Sequence, residues 1–297
     1  MEKEKEIILG IDLGTIYSCV GIIKNGDVII LTDEVSNDRI IPSVVCFDEN
    51  ECVIGKTAKN LIIQYPQSSL YESKRLIGLK YTNPHVQKDI KLMKPLKIIE
   101  DQKTKKPKYV VKVGGKDKEY FPEDVSSMIL EYLKKIVMKF EKNENIKKAV
   151  ITVPAHFNNL QREATIEAAN KAGLEVIKLI NEPTAAAIAY VHQNYSDKER
   201  KVLIFDIGGG TFDVSIVKIK GKEYEVLGCD GEGHLGGEDF NQRLYNYIIE
   251  EIKKIDVFKN IDFNSQDKVV LQGISKLKEK IEFQKNALSI HETFKNN

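Results

Sequence analysis

The sequence predicts a mixed α/β fold built as two similar halves, and three observations predict it. Stretches of two-residue apolar alternation recur between stretches with helical three-and-four spacing. An acidic, glycine-rich turn between strands occurs twice, as "IILGIDLGTIYSCVGI" around Asp12 and as "VLIFDIGGGTFDVSIV" around Asp206. A long segment, about 36–120, follows the first of these turns and reads as an insertion into the first half. The chain of 297 residues, 42% apolar and 30% charged, has room for about two domains with real cores.

The elements follow in order. Residues 7–31 read as two strands about the first turn, with "KNGD" (Lys24–Asp27) as a hairpin signal into a third strand, "VIIL". "IPSVVCF" at 41–47 reads as a strand, and 55–80 as a helical stretch that carries "ESKRLIG". The lysine-rich stretch 88–118 is broken by "KPLK", "KKPK" and "GGKDK" and reads as short exposed strands and turns. Its acids, among them Asp89, Asp101 and Glu119, dilute the charge and argue against a nucleic-acid patch.

Residues 121–142 form an amphipathic helix, with Val125, Ile129, Leu133 and Val137 on one stripe and Pro122 in the first turn. "KKAVITVP" is a buried strand, and the helix after it ends at Gly173, where a left-handed cap favours glycine. "LEVIKLI" is a strand, and "NEPTAAAIAY" is a helix with Pro183 at its start. The second copy reads as strands 201–206, 212–220 and 223–228, then helices from Glu238 to Lys253 and over about 266–288.

Several function classes are excluded or disfavoured. The net charge of +1 points to no nucleic acid and no anionic lipid. No apolar run approaches the roughly 18 residues of a membrane span. The opening "MEKEKEIILG" mixes acids and bases and resembles neither a secretory signal nor an organelle presequence, so a cytoplasmic location is expected. Cys19, Cys46, Cys52 and Cys229 form no C-x-x-C pair and read as reduced thiols. "GEGHLG" (Gly231–Gly236) fits G-x-G-x-x-G, but no parallel strand with a ribose-binding acid follows it. No G-x-x-x-x-G-K-[ST] is present.

The repeated turn carries the chemistry. Consecutive backbone N–H groups in a glycine turn make a nest for phosphate oxygens, and glycine lets a ligand approach the main chain. Gly14, Thr15, Ile16 and Tyr17 would supply the first nest, and Gly208, Gly209, Gly210 and Thr211 the second. An Asp at each strand end, Asp12 and Asp206, suits Mg²⁺, which favours few carboxylates plus phosphate. Two such turns facing each other would clamp a polyphosphate.

The blocks "GIDLGTIYSCVG", "KRLIG", "ITVPAHFN", "INEPTAAAIAY", "IFDIGGGTFDVSI" and "HLGGEDF" resemble the nucleotide-binding domain of the 70-kilodalton heat-shock chaperones, which are actin-like ATPases. The resemblance runs from about residue 7 to about 289. It implies two lobes with ribonuclease H-like cores, at 1–195 and 196–297, with ATP or ADP, Mg²⁺ and a monovalent cation such as K⁺ between them. By position, it implies that Asp12 and Asp206 anchor the metal, and that Lys74 and Glu182 place and orient the attacking water. It gives Thr15, Tyr17 and Thr211 to the phosphates, with Asp206 and Thr211 counted in the catalytic set. Gly236, Gly237, Glu282 and Lys285 would line the nucleotide, and Pro154 and Arg162 would relay its state. J-domain co-chaperones and nucleotide exchange factors are the implied partners, in stress response and protein folding.

Four departures qualify the resemblance. Ile16 stands where the family has a second Thr, and Asn286 where an Arg stacks on adenine. His156 stands where Tyr is usual and reads as a packing residue. The family's domain continues past Ser289, whereas here "IHETFKNN" follows, so the second lobe is expected to be incomplete, with one apolar sheet face uncovered. Two functions are therefore expected in order: an ATPase domain without its peptide-binding domain, or a non-catalytic interaction module.

Overall fold

The protein is described from a computed structural model covering residues 6–48 and 51–289. The tail "IHETFKNN" lies outside the described residues. The first half opens with β1 (Ile8–Asp12), β2 (Tyr17–Lys24) and β3 (Asp27–Ile30), an antiparallel meander. Its tight turn places Asn25 and Gly26 at positive φ, as "KNGD" requires.

The insertion then contributes β4 (Ile41–Pro42), β5 (Val45–Phe47), β6 (Cys52–Ile54), α1 (Lys56–Leu61) and β7 (Ser69–Leu70). A 3₁₀ turn at Ser73–Arg75 follows, then α2 (Pro84–Leu92) and the hairpin sheet β8 (Lys97–Glu100), β9 (Pro107–Val113) and β10 (Lys116–Tyr120).

Next come α3 (Pro122–Glu141), β11 (Lys148–Val153), α4 (Asn159–Lys171), β12 (Glu175–Asn181) and α5 (Glu182–Gln193). β11 pairs parallel to β1, and β12 parallel to β11, giving the order β12-β11-β1-β2-β3 with β4 beside β2. The parallel pairs need crossovers, and α3 and α4 supply them. Val125, Ile129, Leu133 and Val137 of α3 join Leu9, Ile11, Val20 and Ile22 in one buried cluster.

The second half repeats the meander as β13 (Arg200–Ile207), β14 (Phe212–Lys220) and β15 (Glu223–Glu232), followed by α6 (Gly237–Ile252) and α7 (Lys268–Leu288). α5 lies between the two sheets, touching β11 and β12 on one side and β13 and β14 on the other. Its alanines let the sheets approach, and Ala187 and Val191 bury against Val217 and Ile219. This is a mixed α/β architecture with the strand meander repeated in each half.

Two stretches differ from the sequence reading. Residues 55–80 are helical only over Lys56–Leu61 and the short 3₁₀ turn. Ser69 and Leu70 instead pair with Cys46 and Val45, so tertiary strand pairing outweighs local spacing. The stretch 88–118 is not an exposed run of strands and turns. It starts inside α2, and its sheet buries Tyr109 and Val111 in the main core. Its lysines point outward into pairs, such as Lys106 with Glu123 at 2.7 Å and Lys108 with Asp101 at 2.7 Å.

The uncovered face is present as expected among the described residues. Leu203 and Phe205 on β13 are 62% and 64% exposed, with Ile207 and Ile216 beside them. Replacing Leu203 and Phe205 by threonine, which keeps strand propensity, is expected to reduce binding of an apolar reporter dye while leaving the far-UV spectrum intact. Unchanged dye binding would place the accessible apolar surface elsewhere.

Candidate functional site: two glycine turns in contact

The two glycine turns meet. A Cβ on Gly209 would fall 2.1 Å from Ile16 Cγ1, and one on Gly210 would fall 2.8 Å from Thr15 Cγ2. Only a residue without a side chain permits that approach. The first turn is braced from behind by Ser43, whose hydroxyl donates to Gly14 O at 2.8 Å and whose N–H donates to Ile16 O at 2.8 Å. The second turn is braced by α6. Gly237 N–H donates to Gly208 O at 3.0 Å, and Glu238 N–H to Gly209 O at 2.9 Å.

An open cavity of about 1680 Å³ starts at these turns and runs along the first sheet. Asp12, Gly14, Thr15, Ile16 and Tyr17 line it from the first half, with Lys74 and Glu182 beside them. Asp206, Gly208, Gly209, Thr211, Gly237, Glu282, Lys285 and Asn286 line it from the second half. Gly210 and Gly236 are not in its wall. Gly236 lies against the second turn, where a Cβ would fall 2.5 Å from Gly209 C and Gly210 N. Its N–H donates to Asp239 Oδ2 at 3.0 Å, so the N–H groups of Gly236 and Gly237 already serve the protein.

Lys74 and Glu182 come together from distant elements. Lys74 Nζ donates to Glu182 Oε1 at 2.5 Å, and only 8% of the lysine side chain is exposed. The lysine sits on the 3₁₀ turn, which Glu72 enters at φ 55°, and Glu182 opens α5 beside Pro183. Burial raises the Glu182 pKa; Lys74 opposes the shift, while Asp12 and Asp206 add to it. Burial also raises the Asp206 pKa, with Asp213 and Asp12 adding and Lys74 opposing. Asp12 accepts a 2.8 Å bond from Thr152 Oγ1 on the neighbouring β11.

Across the cavity mouth, Lys59 Nζ bonds Glu282 at 3.0 and 3.1 Å and Tyr17 Oη at 2.9 Å. Burial opposes the Lys59 charge, but Tyr17 and Glu282 outweigh it and its pKa is raised. Lys285 Nζ donates to Gly237 O at 3.2 Å. Behind the turns, Arg75 joins Asp239 at 2.6 Å, Asp89 at 3.3 Å and Glu72 at 3.3 Å. Sequence reasoning missed Lys59, Arg75 and Asp239. The one available signal was that Arg75 follows Lys74 inside "KRLIG" and Asp239 lies inside "HLGGEDF".

The Hsp70 protein family model matches residues 8–296, nearly the whole chain. The chain belongs to the Hsp70 family. Heat shock 70 kDa protein 2 of Paracoccidioides lutzii is 45% identical over 246 residues, which cover 83% of this chain and 37% of that relative. This Hsp70 chain thus spans less than two fifths of the relative's length and corresponds to the family's nucleotide-binding domain. Among the described residues no helix is long and apolar enough to cross a membrane.

Two outcomes follow for this Hsp70 domain. Gly236→Ala would drive a methyl into the backbone of Gly209 and Gly210, so a loss of about 1–3 kcal/mol in urea unfolding is expected; an unchanged midpoint would contradict the close approach. Glu182 holds its proton more tightly in the fold than its ordinary value of 4.5 allows. Its contribution to stability is therefore fullest below that value and is lost as pH rises through the raised one. Glu182→Gln should flatten this fall in a pH series of urea unfolding, and an unaltered slope would assign the effect to another group.

Proposed function

We propose that this chain binds ATP and ADP between its two halves and hydrolyses ATP as the nucleotide-binding domain of an Hsp70 chaperone. Residues 1–195 and 196–297 act as the two lobes. The observation that carries the reading is that both glycine turns and the Lys74–Glu182 pair line one cavity.

Within this reading Thr15, Tyr17 and Thr211 and the backbone of Gly14, Gly208 and Gly209 hold the phosphates. Gly209 and Gly210 let the two turns meet, and Gly236 and Gly237 seat the start of α6 on the second. Lys74 orients the attacking water, and Glu182 accepts its proton or aligns it. Positioning and charge neutralisation are what phosphoryl transfer needs from a protein. Glu282 and Lys285 serve the adenosine side, where Asn286 offers an amide and no guanidinium plane.

Asp12 and Asp206 suit Mg²⁺. Burial, then Asp213 and Asp12, raise the pKa of Asp206, so a cation there would relieve repulsion among neighbouring carboxylates. Bound Mg²⁺ would neutralise phosphate charge; K⁺ is the monovalent ion of this reading. A cytoplasmic setting, J-domain partners and exchange factors complete it.

Thermal unfolding with and without Mg-ATP tests the proposal. Nucleotide at about a hundred times its Kd should add about 2.7 kcal/mol, whereas no shift at millimolar nucleotide would favour the non-catalytic module. Lys74→Met and Asp206→Ala should each abolish most turnover. Undiminished hydrolysis by both would refute the assigned roles.

A further inference from the structure

His156 lies on the turn after β11, within the first half, yet its imidazole reaches into the second. Its Nε2 stands 3.1 Å from Oδ1 of Asp213, a carboxylate only 1% exposed. Asp213 is the second residue after Thr211 and pairs across the strands with Asp206. Among the described residues its Oδ1 accepts no aligned hydrogen bond, so the imidazole is the polar group that faces it. The neighbouring Ala155 N–H also donates to the Asp213 carboxyl.

A second observation is that β15 leaves room beside the ring, as it does for the β14 backbone. Gly231 lies opposite Asp213 on β15, and a Cβ there would fall 2.3 Å from His156 Nε2 and also 2.1 Å from Phe212 O. The turn itself is held rigidly. Arg162 donates to Phe157 O at 3.0 Å, to Ala155 O at 3.3 Å and to Asn181 Oδ1 at 2.9 Å, one residue before Glu182. Lys74 Nζ lies 5.9 Å from the centroid of the Phe157 ring.

We propose that His156 is a positioning residue for the second phosphate turn. Acting through Asp213, it fixes where Gly208–Thr211 sit relative to Lys74 and Glu182. The consequence for turnover rests on the ATPase reading above; the contact itself does not.

The test has two arms. In nucleotide-free protein, a double-mutant cycle of His156→Ala and Asp213→Asn is read by thermal unfolding. The combined loss should fall short of the sum of the single losses by at least about 2 °C; additive losses would overturn the contact. In single-turnover hydrolysis, His156→Ala should slow the chemical step about tenfold while nucleotide Kd moves less than about threefold. His156→Gln, whose Nε2 can reach the same carboxylate, should recover most of that rate. A glutamine variant no faster than the alanine one, or an equal loss in Kd, would overturn the positioning role. If the unsubstituted protein shows no turnover, the ATPase reading fails, and the unfolding cycle alone decides the His156–Asp213 contact.

Discussion

The structure depends on a steric constraint: the glycines of the second turn must meet the side chains of the first with no side chain of their own. Gly209 against Ile16 and Gly210 against Thr15 meet this constraint, and Gly236 extends it to the start of α6. A repulsive contact at that distance rises steeply, so any added carbon would separate the halves. Asp12, Lys74 and Glu182 come from the first half, and the meeting of the turns brings Asp206 of the second half to them. Ile16, the departure from the family pattern, takes part as an apolar wall of the contact rather than as a hydroxyl.

Closing the halves concentrates negative charge. Burial raises the Glu182 and Asp206 pKa values, and neighbouring acids add to the rise: Asp12 and Asp206 for Glu182, Asp213 and Asp12 for Asp206. Lys74 offsets the charge at the floor, Lys59 at the mouth and Arg75 behind the turns, and the His156 imidazole stands against Asp213. Except for Lys74, each of these side chains reaches from the first half to an acid of the second. The ion pairs hold the halves together as well as tuning the site.

Much of this was legible in the sequence. Asp12 and Asp206 announce themselves because a strand ending in Asp before glycine is a local pattern, and the pattern occurs twice. The stripe of α3 and the cap of Gly173 are equally local. The helical reading of 55–80 failed because Ser69 and Leu70 are claimed by β5, a partner that spacing cannot reveal. Tyr109 and Val111 were read as exposed because lysines surround them, although those lysines point outward along an alternating strand.

The same division holds for the site. Local sequence specifies each glycine turn, each strand-end aspartate and the start of α5, since backbone preference and capping act over a few residues. Which turn touches which, and which acid answers Lys59, Arg75 or His156, is settled by packing between segments far apart in the chain. Pair energies at 3 Å depend on distance and burial, and neither is written in the spacing of residues along the chain. Asp213 shows this most clearly: in sequence it is an ordinary residue of a strand, and in the fold it is a buried carboxylate met by an imidazole from the other half.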